Sequence, residues 1–147
     1  AGDRSSNGAF GWNPAAVHVS EGSNPTYSTN PPASGDHYPV WSRYGVFREP
    51  VEPGYWVHNL EHGAIVLLYS CSNNCDTVVA KIEEVYSSLP NGAFGEIKMV
   101  ATPYVGEFKG RFMLIAWTWQ EPFEIFDAAR VKKFYSDFVD RGPERAP

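Results

Sequence analysis

The sequence predicts an α+β fold: a small mixed sheet in the order β-α-β-β-α, with two helices, behind a long irregular N-terminal wrap. Three observations predict it. Val78, Ile82, Val85, Tyr86 and Leu89 recur at helical spacing, and so do Val131, Phe134, Tyr135, Phe138 and Val139. Three apolar runs of strand length, Ala64 to Ser70, Glu96 to Thr102 and Arg111 to Gln120, separate and flank those stripes. Before residue 54, Pro14, Pro25, Pro31, Pro32, Pro39, Pro50 and Pro53 break any helix or central strand.

The wrap divides in two. Residues 1–23 are expected as a flexible tail, and residues 24–147 as a single globular domain. The second half of the wrap holds Tyr27, Tyr38, Trp41, Tyr44, Val46 and Phe47, too many large apolar groups to leave in water. It should therefore lie on the core. A short helix, Tyr55 to His62, follows and ends at Gly63, which lets the backbone turn out. The first strand comes next, then a turn at Cys71-Ser72-Asn73-Asn74-Cys75. Asn74 or Asp76 can cap the first long helix, and Pro90-Asn91-Gly92 ends it. A helical crossover makes the first two strands parallel. A short loop, Val105 to Gly110, makes the second and third antiparallel. Asp127 caps the last helix, and Gly142-Pro143 stops it. Both long helices should cover one sheet face, and the wrap the other face or an edge.

The 147 residues suit one domain. A net charge of -5 with no basic stripe excludes a nucleic-acid surface. No apolar stretch is long enough to span a bilayer. The first residues contain no signal peptide and fit either a cleaved mature end or an arbitrary boundary. Few lysines and one close cysteine pair point outside the cytoplasm, whether periplasmic, secreted or anchored at the outer face. For Cys71 and Cys75 a disulfide pinning the turn is favoured, worth about 2 kcal/mol by loop entropy. A redox pair or a copper-holding pair is the alternative.

The chemistry concentrates in three histidines. His58 and His62 stand four apart, one turn along a helix face, and His37 sits in the rigid stretch Ser34-Gly35-Asp36-His37-Tyr38-Pro39. Three neutral imidazoles are a full set for zinc with an open position, or for copper. Asp36 and Glu61, each beside a histidine, are expected to orient the ligands. His18 falls in the tail and is left out. Met113 is expected as a weak axial thioether ligand favouring Cu(I), ahead of Met99, which reads as core. Trp56, two residues from His58, should report bound copper through its fluorescence. His58-Asn59-Leu60-Glu61-His62 also spells the H-x-x-E-H pattern of inverted zinc proteases, with Glu61 as base. The expected function is an exported protein binding one copper ion, with zinc as the alternative metal and another copper protein as a candidate partner. A zinc hydrolase, or a disulfide-pinned binding domain without metal, are the competing readings.

Thr29-Asn30-Pro31-Pro32-Ala33-Ser34-Gly35-Asp36-His37-Tyr38, Gly45-Val46-Phe47-Arg48-Glu49-Pro50 and Val57-His58-Asn59-Leu60-Glu61-His62-Gly63 together resemble the bacterial family called domain of unknown function 3105. The Cys71 to Cys75 turn, Thr102-Pro103-Tyr104 and Ala116-Trp117 fit as well. The resemblance runs from about residue 24 to Glu144 and implies an exported or membrane-anchored setting. It places His37, His58 and His62 in signature stretches. Trp117 is followed by Thr118 and Trp119, where that family commonly has a glycine and a basic residue.

Overall fold

The computed structural model describes residues 16–147. In chain order the elements are β1 (Gly45–Val46), α1 (Pro53–Glu61), β2 (Ile65–Tyr69), α2 (Cys75–Ser88), β3 (Met99–Pro103), β4 (Phe112–Ala116), β5 (Trp119–Phe123) and α3 (Ala128–Phe138). The sheet runs β1-β3-β2-β4-β5. β2 lies in the middle and is buried along its whole length, as its unbroken apolar run Ile65-Val66-Leu67-Leu68-Tyr69 requires. It pairs in parallel with β3, and β3 in parallel with β1. The fold is thus a small mixed α+β sheet.

Three features differ from the sequence expectation. The run Arg111 to Gln120 is two strands, β4 and β5, forming an antiparallel hairpin in which Ala116 faces Trp119. Its turn carries no glycine, proline or asparagine to announce it. Thr118 takes the left-handed conformation instead, at φ +65°, and its amide is held by Ala33 O at 2.9 Å. The second and third strands of the expected order, β3 and β4, are not neighbours, because β2 lies between them and takes β4 as its antiparallel partner. Finally, Pro53 opens α1 rather than excluding it. A proline at the first helical position loses no hydrogen bond and has its φ already set.

Side-chain alternation along the strands separates two apolar layers. Ile65, Leu67, Tyr69, Met99, Phe112 and Leu114 face α2 and α3, where Val79, Ile82, Val85, Val131, Phe134 and Tyr135 meet them. Val66, Leu68, Val100, Met113 and Ile115 face the other way. There Trp56, Val57 and Leu60 of α1 cover them, with Ala33, Tyr27, Tyr44 and Phe47 of the wrap alongside. The two long helices therefore hold one face, and α1 with the wrap holds the other. At about 100° per residue, Trp56, Val57 and Leu60 lie on one side of α1 and His58 and His62 on the opposite side. The wrap closes over that outer side, so the two imidazoles are buried as well.

Asp127 caps α3 by accepting from Arg130 N at 3.1 Å. Asn74 is the cap residue of α2 through its backbone, with no side-chain cap bond. Cys71 and Cys75 are joined by a disulfide across the turn that precedes α2. No helix among the described residues is long and apolar enough to cross a membrane.

Candidate metal centre

α1 ends at Glu61, and Gly63 leaves it at φ +92°. The wrap is tied to this helix at several places. Gly54 has no Cβ, and one built there would stand 2.4 Å from the Tyr38 ring, so that ring lies directly on the helix. Tyr38 N then donates to Gly54 O at 2.9 Å. Further along, Asn59 accepts from Ser42 N at 2.8 Å and donates to Ser42 O at 2.9 Å. These bonds hold Trp41 against the imidazoles, its ring centroid 5.2 Å from that of His58 and 4.9 Å from that of His62.

Each buried histidine spends one ring nitrogen on a carbonyl. His58 Nδ1 lies 2.6 Å from Tyr38 O, His37 Nδ1 2.8 Å from Gly35 O, and His62 Nδ1 3.2 Å from Pro147 O. A carbonyl only accepts, so each Nδ1 carries the proton. In the neutral form of each ring Nε2 is then the nitrogen left free. Each Nε2 faces another possible ligand atom. His58 Nε2 faces His62 Nε2 at 3.1 Å. His37 Nε2 faces Glu61 Oε1 at 3.1 Å, and both atoms are buried without a hydrogen bond. His62 Nε2 lies 3.3 Å from Glu144 Oε1. Burial, reinforced by the neighbouring imidazoles, holds the His58 pKa down to about 4 although the Tyr38 carbonyl favours its charged form, so this ring is neutral at pH 7.

His18, expected in the tail and omitted from the ligand set, stands in the cluster. Residues 17–19 pair with His37 through Val19 N to His37 O at 2.8 Å and His37 N to Val17 O at 3.1 Å. Asp36 accepts from Val17 N at 3.0 Å, so it positions the strand-like segment carrying His18 rather than an imidazole directly. Tyr55 fastens the same segment through Glu21, at 2.7 Å. The His18 ring lies 5.0 Å from that of His37 and 4.9 Å from that of His58. No periodicity or motif marks His18; the signal was that the chain has only four histidines, three of them already expected together. The part of the expected tail before residue 16 lies outside the described residues.

Glu144 is the other addition. The strap of residues 140–147 crosses the end of α1, with Asp140 N donating to Gly63 O at 2.8 Å and Glu144 N to Glu61 O at 3.1 Å. Together the ligand atoms form two sets that share Glu61: His18, His37, His58 and Glu61, and Glu61, His62 and Glu144, each with its atoms within 4.8 Å of one another. Glu61 thus offers a carboxylate oxygen to both sets, as well as facing the His37 ring. Met113 lies in the apolar layer with Trp56, Val57 and Leu60, on the sheet side of α1.

The fold and the site define a small mixed-sheet domain with a histidine–carboxylate cluster buried between a short helix and the wrap around it. The chain belongs to the family described as protein of unknown function (DUF3105), whose family model matches residues 18–147. No curated protein and no solved structure matches the chain.

Proposed function

We propose that this chain is an extracytoplasmic metal-binding protein that holds a transition-metal ion, copper ahead of zinc, at His18, His37, His58 and Glu61. The observation that carries this reading is the gathering of three imidazoles with a carboxylate, in which His37 and His58 each commit Nδ1 to a backbone carbonyl and leave Nε2 free. Their free Nε2 atoms converge with a carboxylate: His37 Nε2 stands 3.1 Å from Glu61 Oε1, and the four ligand atoms of the set lie within 4.8 Å of one another. Donors so placed favour a cation among them. Donor atoms bound to one ion at about 2.0–2.1 Å, with angles of about 90–110°, lie about 3 Å apart, which is the spacing seen. Imidazole-rich sites bind Cu(II) most tightly of the first-row divalent ions. The Cys71–Cys75 disulfide suits an oxidising compartment.

The H-x-x-E-H hydrolase reading needs Glu61 free to take a proton from bound water. Its carboxylate faces His37 instead, which favours binding over hydrolysis. Carriage of copper to or from another copper protein, or a redox role, follows as the class of function.

The test is metal analysis of protein purified without an affinity tag, followed by titration with Cu(II) and Zn(II). Alanine at His37 or His58 should weaken binding by well over tenfold. Protein that takes up neither ion would overturn the reading.

A further inference from the structure

We infer that the centre is dinuclear, with Glu61 as a bridging carboxylate and a second divalent ion held by His62, Glu144 and Glu61. This rests on the metal-binding reading above and adds a second position to it. Six residues offer ligand atoms, but they do not close into a single set; they form two, which share Glu61 and touch where His58 Nε2 stands 3.1 Å from His62 Nε2. One ion at about 2.1 Å from its ligands spans at most about 4.2 Å between opposite donors. The cluster as a whole is longer than that.

His58 and His62 explain why the second position is not an extension of the first. Each has one free ring nitrogen, because its Nδ1 is committed to the carbonyl of Tyr38 or of Pro147. A single lone pair serves a single ion. His58 Nε2 belongs with His18 and His37, whereas His62 Nε2 lies 3.3 Å from Glu144 Oε1 on the strap side. Glu61, the residue common to both sets, has two oxygens to share. Oε1 stands at 3.1 Å from His37 Nε2, buried and without a hydrogen bond. A carboxylate joining two ions in this way fits separations of about 3.5–4 Å, as in two-metal sites.

The two positions differ in chemistry. The first, with three imidazoles and a shared carboxylate, suits copper. The second, with one imidazole and two carboxylates, is harder and suits a divalent ion such as Zn(II). It is also the more exposed, since Glu144 is 56% accessible while His37 is buried. The second ion should therefore exchange faster and be lost first to a chelator.

The experiment counts ions. Wild-type protein and the variants Glu144→Gln and His62→Ala are stripped, loaded with Zn(II) alone or Cu(II) alone, desalted, and analysed for metal per chain. Glu144→Gln alters an exposed side chain and keeps its volume, so it leaves the fold intact. Two ions in the wild type and one in each variant are expected. In the Cu(II)-loaded wild type the spin-resonance intensity should fall well below the copper content, because neighbouring ions couple, and Glu144→Gln should restore it. One ion in the wild type would overturn the second position and leave the first standing. Two ions in all three proteins would also overturn it, since the second ion would then lie elsewhere. No ion in any of them would overturn the metal-binding reading itself.

Discussion

A Cβ on Gly142 would lie 2.5 Å from the amide nitrogen of Gly63 and 2.4 Å from Glu61 O. The strap can cross the end of α1 at this distance only because Gly142 has no side chain. On the other side, a Cβ on Gly63 would meet Asp140 Cα at 2.7 Å. The two glycines therefore fix where Glu144 reaches His62. Backbone atoms cannot yield as a flexible side chain does. Gly142→Ala should lift the strap, cost about 1–3 kcal/mol as overpacking does, and reduce metal content from two ions to one. Denaturant titration and metal analysis check the two effects separately. An alanine variant with wild-type stability would show that the strap is not seated on α1 as described.

The strap is anchored by a buried ion pair. Lys98 is 2% accessible, and its Nζ donates to Asp140 Oδ1 at 2.7 Å and to Ala146 O at 2.6 Å. Burial alone would raise the Asp140 pKa. The hydrogen bonds from Lys98 and Ala93, with the Lys98 and Arg145 charges, outweigh it and hold the pKa below the usual carboxylate value. A carboxyl depressed by folding contributes stability that is present above its unfolded pKa of about 3.9 and is lost as pH falls through the folded value. Metal-free protein should thus lose stability steeply below about pH 4. Asp140→Asn should flatten that acid limb and cost about 3 kcal/mol at pH 7, because Lys98 is left buried without its counter-charge. Chemical denaturation at a series of pH values measures both. An unchanged acid limb in the variant would remove Asp140 from the account.

The sheet order and the histidine cluster show where sequence reasoning reaches and where it stops. Apolar spacing identified α2, α3 and the central strand β2, because each must bury a face and the pattern records which one. Along β4, strand alternation sets Phe112, Leu114 and Ala116 in one apolar layer and Met113 and Ile115 in the other. The β4–β5 turn escaped because Trp117 and Thr118 are ordinary strand residues, and a tertiary bond to Ala33 helps to hold Thr118 in its turn conformation. His37, His58 and His62 were legible from local motifs. His18, Asn59 and Glu144 were not, since each acts across a sequence distance that no local pattern encodes. Asn59 reaches back to Ser42, and Glu144 reaches His62 from the far end of the chain.

Trp41, not Trp56, is the ring placed to report an ion bound at the imidazoles. Trp56 is buried on the sheet side of α1, its Nε1 donating to Val51 O at 3.1 Å. Trp41 is 43% accessible and packs against His58 and His62. Copper added to wild-type protein should quench tryptophan emission, and most of that quenching should disappear in Trp41→Phe. The variant keeps a ring over the imidazoles, so binding itself should change little. Quenching that persists undiminished in Trp41→Phe would point back to Trp56.

Met113 gives the last prediction. Its position on β4 turns it toward α1, where Trp56, Val57 and Leu60 enclose it with Val66, Leu68 and Ile115. His58 and His62 leave α1 on the opposite side, so the helix stands between the thioether and the Nε2 atoms. Packing is enough to account for the residue, as it is for most strand methionines. Met113→Leu keeps volume and removes sulfur. It should cost less than about 1.5 kcal/mol and leave affinity for both Cu(I) and Cu(II) at the wild-type value. Met113→Ala should cost about 2–5 kcal/mol through the cavity it opens, again with the ion count unchanged. Parallel titrations with Cu(II) and, under reducing conditions, with Cu(I) measure this. If Met113→Leu weakened Cu(I) alone, the sulfur would have to be a ligand, and α1 would have to shift on binding to admit it.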